Sequence, residues 1–502
     1  MARAFYPLER FAPAPTAFHL LPFRFTRLSG KELLVNEAGE FLFAPTGTVQ
    51  GLTDEYLDTD SELYRDPKAK HFLYDASSSP LLDVLATKVR TKFDHITGGT
   101  KLHIFVVTLR CEHSCDYCQV SRQTATRGQF DMSTATADRA IAMMMDSPAR
   151  AVTLEFQGGE PLLAFDLIQY VIPKAKKLAL EKGKDLDIVV CTNLACVTDD
   201  ILRYFRDEGV KVSTSLDGPA FLHNKNRPRP GHDSYEKAIE GIERSRAILG
   251  MESVAALMTT TAASLDYAAE IVDEYVRRDF HSIFLRPISP YGFAIKTRHR
   301  TGYEMGRFLE FYKKGLAHIL KVNRGGYRIA EVYTQILLTK ILTPHGTRYF
   351  DMQSPAGEAW NVLVYNYDGD VYASDESRML AEMNDWTFRL GNVHKDTRRT
   401  LFTGDPALRM FQASCNQALA GCSDCAFQSY CAADPVYHHA TQGDMYGNRP
   451  TSGFCTRNME VIKQLFSIIE ENDRETMRIL WSWVTGEPAN KEVVECVSRL
   501  PG

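Results

Sequence analysis

The sequence predicts an α/β fold: a partial barrel of six β/α units, preceded by a small N-terminal α+β segment and followed by an irregular, cysteine-rich region. Three observations predict it. Between residues 100 and 290, apolar runs that do not alternate are separated by amphipathic stretches, the pattern of parallel strands covered by helices. Six such units fit a partial barrel better than a closed one of eight. The 11 cysteines are clustered: none in 1–110, three at 111, 115 and 118, two at 191 and 196, five between 415 and 455, and one at 496.

Composition narrows the function classes. The chain has 502 residues, 44% of them hydrophobic, and a formal net charge of −5. That is too apolar for disorder. No apolar run reaches the ~18 residues of a membrane span, and the slight acidity argues against a nucleic-acid partner. No secretory signal opens the sequence, which predicts a cytoplasmic protein with reduced thiols. Clustered thiols in that compartment point to metal or catalysis. There is no internal repeat and no low-complexity segment.

Taken in order, residues 20–50 read as short strands (LPFRFTRL, KELLVNE, EFLFAPT) separated by turn signals at Ser29-Gly30 and Ala38-Gly39. A helical stretch follows over 51–92. The six core strands are KLHIFVVTL (101–109), AVTLEFQ (151–157), DIVVCTN (187–193), KVSTSLDG (211–218), SVAALMTTT (253–261) and HSIFLRPI (281–288). Helices lie between them, among them 167–183 and 235–250, and the lysines of 174–184 read as a solvated helix face. Residues 300–340 read as helical, 350–460 as irregular, and 457–484 as one helix before a polar tail. The domains expected are 1–98, 99–325, 326–470 and 471–502.

Ligands on such folds bind at the carboxyl ends of the strands. That is where the unusual residues fall. Cys111 follows the first strand, Gly158-Gly159-Glu160-Pro161 the second, Asn193 the third, Asp217-Gly218 the fourth and Arg286-Pro287 the sixth. In Cys111-x3-Cys115-x2-Cys118, three thiols on one loop can converge on one metal centre. An iron–sulfur cubane normally takes four thiolates, so three leave one iron open. A structural zinc site needs a fourth ligand, for which His113 is available but awkwardly placed inside the loop.

Cys-x3-Cys-x-Tyr-Cys after the first strand, GlyGlyGluPro after the second and Ser215-x-Asp217-Gly218-Pro219 after the fourth resemble the radical S-adenosylmethionine (SAM) superfamily over about 190 residues. The resemblance implies a radical SAM barrel in which Cys111, Cys115 and Cys118 ligate a [4Fe-4S] cluster that binds SAM. It implies that Gly158, Gly159, Glu160 and Pro161 form the turn that receives the methionine amine, and that Tyr117 packs near the adenine. Asn193, Ser215 and Arg286 are further candidates for ribose or carboxylate contacts. Electron supply would come from a partner such as flavodoxin or ferredoxin. The cofactor, cleaved by one electron, would yield a 5′-deoxyadenosyl radical that abstracts hydrogen from substrate.

Cys422-x2-Cys425-x5-Cys431, with Cys455 after a gap, suits zinc or an iron–sulfur cluster on spacing alone. The region resembles the SPASM extension of radical enzymes that modify peptides. A full SPASM pattern supports two auxiliary clusters. This chain has Ser374 after Gly369-x4, Ser354-Pro355-Ala356-Gly357 upstream, and Pro435 where further cysteines are expected. All the missing positions belong to one cluster, so the resemblance implies one auxiliary [4Fe-4S] cluster on Cys422, Cys425, Cys431 and Cys455. Asp375 follows Ser374 at a position where sulfatase-maturing relatives place a proposed base.

LLPFRFTRL (20–28), NEAGEFLF (36–43) and YNYDGDVYASDESRML (365–380) resemble the radical maturases of the His-Xaa-Ser peptide system. The implied partners are a ribosomally made precursor peptide and a second radical SAM maturase. The implied reaction is hydrogen abstraction followed by crosslinking. The N-terminal segment is similar in pattern to a leader-peptide recognition domain that adds a strand to a sheet edge. Two alternatives stand beside this reading: a sulfatase-type formylglycine maturase, and a non-enzymatic iron–sulfur or electron-transfer module. Cys415 is a spare ligand or a plain thiol, Cys191, Cys196 and Cys496 read as structural thiols, and His438-His439 as surface residues.

Overall fold

The structure, a computed structural model, describes residues 18–54, 58–123, 128–355 and 357–488. Cys496 therefore lies outside the described residues. The N-terminal sheet has three antiparallel strands, with a small two-stranded ladder beside it. β1 (His19–Leu20) leads into β2 (Phe23–Leu28), β3 (Lys31–Asn36) and β4 (Phe41–Ala44), and β5 (Leu73–Tyr74) pairs with β1. Ser29 and Gly30 both have positive φ, 51° and 79°, as a two-residue I′ hairpin requires. Period-2 alternation splits β3 between two cores. Leu34 packs with Leu42, Phe18 and Phe72, whereas Leu33 and Val35 face the main core. The stretch expected to be helical resolves into helices Thr48–Thr53, Glu62–Ala69 and Ser79–Lys92.

The barrel wall is parallel and in chain order: β6 (Leu102–Thr108), β7 (Ala151–Gly158), β8 (Asp185–Cys191), β9 (Val210–Ser215) and β10 (Val254–Leu257). Phe105, Phe156, Val190 and Val212 stand in register across it on the outer face and are buried under the covering helices. The sixth strand is much shorter than expected. Only β11 (Ser282–Ile283) is regular, and it pairs with β12 (Ala330–Glu331), touching the wall through one bridge, Thr260 to Pro287. Pro287 and Pro290 lack the N–H a ladder needs, and the Leu285 N–H is taken by Glu331 Oε1 at 3.1 Å.

The region expected to be irregular contributes to the same sheet. β13 (Val362–Tyr365) pairs parallel with β6, and β14 (Asp370–Tyr372) and β15 (Arg389–Asn392) continue antiparallel, giving eight strands in the order β10-β9-β8-β7-β6-β13-β14-β15. The turn signal at Asp368-Gly369-Asp370 marks the β13–β14 hairpin; a four-residue apolar run carries too little periodicity to declare a strand. Helix Asp375–Ala381, capped by reciprocal Ser374 and Ser377 bonds, follows β14. Ala381 and Tyr372 join Ile104, Val106, Val362 and Val364 in a small apolar cluster on the inner face of the sheet.

The C-terminal helix expected over 457–484 is two helices, Gly453–Glu471 and Arg474–Thr485. Asn472 takes a left-handed φ of 49° between them, and Asp473 caps the second. Phe41 and Phe43 pack edge-on to Phe466 of the first helix at 5.1 and 6.1 Å. The N-terminal sheet is also bolted to the second cysteine loop: Ser429 Oγ donates to Asn36 O, and Tyr430 Oη to Gly39 O, each at 2.9 Å. Arg24 adds a hydrogen bond to Ser423 O. Among the described residues, no helix is long and apolar enough to cross a membrane.

Candidate functional site

The loop after β6 carries the first three thiols. Arg110 fixes its start with a two-pronged pair to Asp131 at 2.7 and 2.8 Å and a bond to Leu163 O at 2.7 Å. Cys111, Cys115 and Cys118 are free and half-buried. Burial pushes the Cys115 thiol up to about 12; Arg227 opposes this, and Cys118 and Asp217 add to it. Burial likewise raises Cys111, with Glu112, Glu160 and Cys115 adding to it. Buried thiols that each raise the next become thiolates only beside positive charge, which is what a metal centre supplies. The three soft donors therefore fit an iron–sulfur cluster. The ligand atoms of Cys111, Glu112 and His113 lie within 4.8 Å of one another. His113, however, is already engaged, with Nε2 2.8 Å from Ser234 Oγ and Nδ1 3.0 Å from Glu112 Oε1.

The GlyGlyGluPro turn lies against the backbone of this loop. A Cβ on Gly158, whose φ is 148°, would stand 2.0 Å from Thr108 O, and one on Gly159 would stand 2.2 Å from Arg110 O. The close approach that demands glycine is thus to the chain itself. Gly159 N donates to Thr108 O at 2.8 Å and Glu160 N to Arg110 O at 2.7 Å. Glu160 is fully buried. Its Oε1 accepts from Leu162 N at 3.0 Å and Thr192 Oγ1 at 2.6 Å, and its Oε2 from Asn193 N at 2.8 Å. Burial, reinforced by Glu112, raises this carboxyl to about 8. Pro161 opens the short helix Pro161–Ala164. Asn193 also reaches back, donating from Nδ2 to Glu112 Oε1 at 2.8 Å.

Tyr117 is buried, and its hydroxyl donates to Asp217 Oδ2 at 2.7 Å. Arg227 donates from Nε to the same oxygen at 3.1 Å and stacks over the Tyr117 ring at 5.3 Å. Thr259 N donates to Asp217 Oδ1 at 3.2 Å. Asp217 therefore ties the thiol loop to the ends of β9 and β10. Arg227, Thr192 and Asp131 carry no motif and are not readable from sequence as site residues; each is recognisable only once its carboxylate partner, or for Asp131 its arginine, is placed. Ser215 ends β9 opposite Leu257, half-buried.

Along β7 and β9 and at the end of β8 the lumen side of the wall is polar, in contrast to the apolar cluster on β6 and β13. Thr153, Glu155, Gln157, Cys191, Ser213 and Ser215 point inward and remain half-buried. A closed barrel fills these positions with bulky branched residues; here they leave room for a polar ligand. Cys191 sits inside the lumen beside Glu155 and Ser213. Asp375, at the first turn of its helix, is half-buried near Glu155 and Arg286. Arg286 reaches Glu376 Oε1 at 3.4 Å. The chain thus brings the inner ends of the wall and the first turn of helix Asp375–Ala381 to one opening.

Cys422, Cys425, Cys431 and Cys455 form a second group of half-buried, free thiols. Burial raises Cys422 and Cys425 to about 11 each, and neighbouring thiols of the group add to the rise in both. This donor set fits a cluster or zinc. Asn458 Nδ2 donates to Cys431 Sγ at 3.4 Å. Cys415 stands aside at the end of helix Asp405–Ser414, donating to Gln417 Oε1 at 3.3 Å. The three positions where further cysteines are expected do other work. Ser354 Oγ bonds Asn416 Oδ1 at 2.8 Å, Ser374 caps a helix, and Pro435 opens helix Pro435–Gln442. His438 is not on the surface. It is buried, with Nε2 2.8 Å from Ser452 Oγ, the cap of the helix that carries Cys455. His439 is half-buried against Asp385 Oδ2 at 2.6 Å. The sequence shows neither partner, because Ser452 and Asp385 meet these histidines only through the fold.

Residues 105–261 match the family model described as the Radical SAM superfamily. The serine-type anaerobic sulfatase-maturating enzyme of Klebsiella aerogenes is 27% identical over 213 residues, covering 40% of this chain and 49% of that enzyme. The chain thus spans about half the length of that relative. The solved structure of native anSMEcpe with bound AdoMet and Kp18Cys peptide superposes with a TM-score of 0.61 at 16% identity, covering 74% of this chain and 98% of that one. Streptococcus suis SuiB bound to precursor peptide SuiA superposes with a TM-score of 0.50 at 13% identity, covering 86% and 98%. At these identities the structural likeness is one of fold. The thiol loop and the GlyGlyGluPro turn both lie inside residues 105–261, the stretch that matches the Radical SAM superfamily model.

Proposed function

We propose that the protein is an enzyme that modifies a ribosomally made peptide, its fold dividing into a core of about 99–325, an N-terminal accessory part and a C-terminal part that holds the second thiol group. The observation that carries this is the three-thiol loop laid against the GlyGlyGluPro turn at the mouth of a polar lumen. Cys111, Cys115 and Cys118 hold a [4Fe-4S] cluster, and Cys422, Cys425, Cys431 and Cys455 hold an auxiliary one. When bound, the first cluster and SAM supply a hydrogen-abstracting radical.

The chain's own residues position and protect that chemistry. Arg110 and Asp131 hold the thiol loop, Asp217 holds Tyr117, and Glu160 fixes the backbone of Asn193. Tyr117, Gly158, Gly159, Glu160, Pro161, Asn193, Ser215 and Arg286 border the cofactor. Asp375 faces the lumen and accepts the substrate proton there. The apolar cluster of Ile104, Val106 and Val364 closes one wall of the lumen against water.

A peptide substrate is supported by the two solved neighbours bound to peptides. We assign a His-Xaa-Ser-type peptide and a crosslink as the product on the sequence resemblance. The peptide's leader adds to an edge of the N-terminal sheet, where Phe25 on the outer strand β2 is 47% exposed. The test is anaerobic co-expression with a short His-Xaa-Ser peptide, followed by mass spectrometry. A loss of about 2 Da is expected for a crosslink or desaturation. An unchanged mass contradicts this substrate, and oxidation of a serine or cysteine to formylglycine would favour the sulfatase-maturing reading suggested by the Klebsiella relative.

A further inference from the structure

A cavity opens between the residues after β11 and the segments around 351, 376, 434 and 457. Arg286, Tyr291, Asp351, Glu376, Asp434 and Arg457 line it. A smaller space beside it shares Asp351 and Asp434 and is lined by Glu358, which the larger cavity lacks. Four carboxylates and two guanidiniums thus face one region, and the pairing between them is poor. The Arg286 to Glu376 pair is long, at 3.4 Å. Arg457 is spent on the wall, stacked over Phe454 at 5.0 Å and Tyr333 at 5.5 Å and donating to Asn458 Oδ1 at 3.2 Å.

Three buried polar atoms here have no hydrogen-bond partner: Glu376 Oε2, Glu358 Oε2 and the Tyr291 hydroxyl. Their residues are 8%, 7% and 2% exposed. A buried polar atom without a partner is costly, and a buried charge more so. Glu376 and Tyr291 line the larger cavity and Glu358 the smaller space beside it, and a fold does not keep such atoms unpartnered for stability. Burial, with Asp375 or Asp434 close by, pushes both glutamates well above the usual carboxylate range. The walls also supply aromatic faces, which attract cations. The surplus is therefore of acceptors and π-faces, and what is lacking is a donor with positive charge.

We propose that the larger cavity, with the smaller space that adjoins it at Asp351 and Asp434, is a specificity pocket that takes a cationic side chain of the substrate, an ammonium or guanidinium, with Glu376 in the first and Glu358 in the second as its acceptors and Tyr291 as a further hydrogen-bonding wall. The proposal rests on the peptide-modifying reading above and names the side chain that reading leaves open. The pocket adjoins Asp375 and the lumen opening, so a cationic residue seated in it presents its peptide neighbours to the reacting space.

The test uses the reconstituted, anaerobic holoenzyme with SAM and no reductant, so binding is read without turnover. Binding of acetyl-arginine amide and acetyl-lysine amide is compared with that of acetyl-citrulline amide, which has the shape of arginine without its charge. Arginine or lysine is expected to bind at least about tenfold more tightly than citrulline, roughly one good charge-assisted bond. Glu376→Gln with Glu358→Gln is expected to erase that preference while thermal unfolding and iron content stay as in the native protein. Equal binding of arginine and citrulline by the native holoenzyme overturns the proposal, as does a preference that survives in a folded double variant. A holoenzyme that modifies a peptide yet shows no charge preference refutes the pocket alone. One that modifies no peptide but still prefers arginine refutes the substrate reading alone.

Discussion

The hydroxyl of Tyr117 donates to the carboxylate of Asp217 at 2.7 Å, and that bond joins the thiol loop after β6 to the turn after β9. Asp217 is fully buried and also takes Arg227 and the Thr259 N–H. Asp217→Asn is therefore expected to leave Arg227 without its counter-charge, costing about 3–5 kcal/mol. Anaerobic urea unfolding followed by tryptophan fluorescence checks this. A loss below about 1 kcal/mol, the size of an ordinary neutral hydrogen bond, would mean that Asp217 is not the brace.

Gly159 has no freedom to gain a methyl group, since a Cβ would meet Arg110 O at 2.2 Å and Leu109 O at 2.6 Å, both backbone atoms. Gly159→Ala is expected to push the thiol loop out of place and strip iron from the first site while the second keeps its own. Iron per chain after reconstitution checks this, with a fall from about eight to about four.

The second thiol group is expected to be separable from Cys415, which donates to Gln417 Oε1 at 3.3 Å. Cys425→Ser is expected to lower iron from about eight to about four per chain, whereas Cys415→Ser leaves it unchanged. A comparable loss in both variants would place Cys415 among the ligands.

Lys92 is buried under the N-terminal sheet, donating to Ala38 O at 3.2 Å and standing over the Tyr430 ring. Burial, aided by Lys340, lowers it from 10.5 to about 7 in the folded protein. The unfolded chain then binds more protons between about pH 7 and 10.5, so this residue's cost to the fold shrinks as pH rises through that window and is full below it. The stability of the native protein relative to Lys92→Met is expected to increase from about pH 7 to about pH 10, measured by urea unfolding. A constant difference would show that Lys92 stays charged in the fold.

Much of the core is legible in the sequence because its signals are local. The strands β6 to β10 are apolar runs, and the Cys111 loop and the 158–161 turn are contiguous motifs at strand ends. What is not legible depends on pairings across long separations. Tyr117 and Asp217 are 100 residues apart, and Ser429 meets Asn36 across 393. β13 cannot be assigned to the barrel wall from sequence because nothing in Val362–Tyr365 names β6 as its neighbour. His438 reads as a surface residue because its partner Ser452 comes from another element. The sixth strand is shorter than its sequence suggests: Phe284-Leu285 looks like a strand, but Pro287 and the Glu331 carboxylate divert the chain. The carboxylate cavity is assembled from separate segments, so no window of sequence contains it.

The loop of Cys111, Cys115 and Cys118 is where the proposed chemistry begins, because in that proposal reductive cleavage of SAM would depend on it. The 5′-deoxyadenosine formed by the reconstituted protein with SAM and dithionite reads that cleavage. Formation is expected in the native protein and absent in Cys118→Ala, which keeps the second thiol group and about four irons. No 5′-deoxyadenosine from native protein that holds its full iron would contradict a radical SAM function and favour a binding or electron-transfer module.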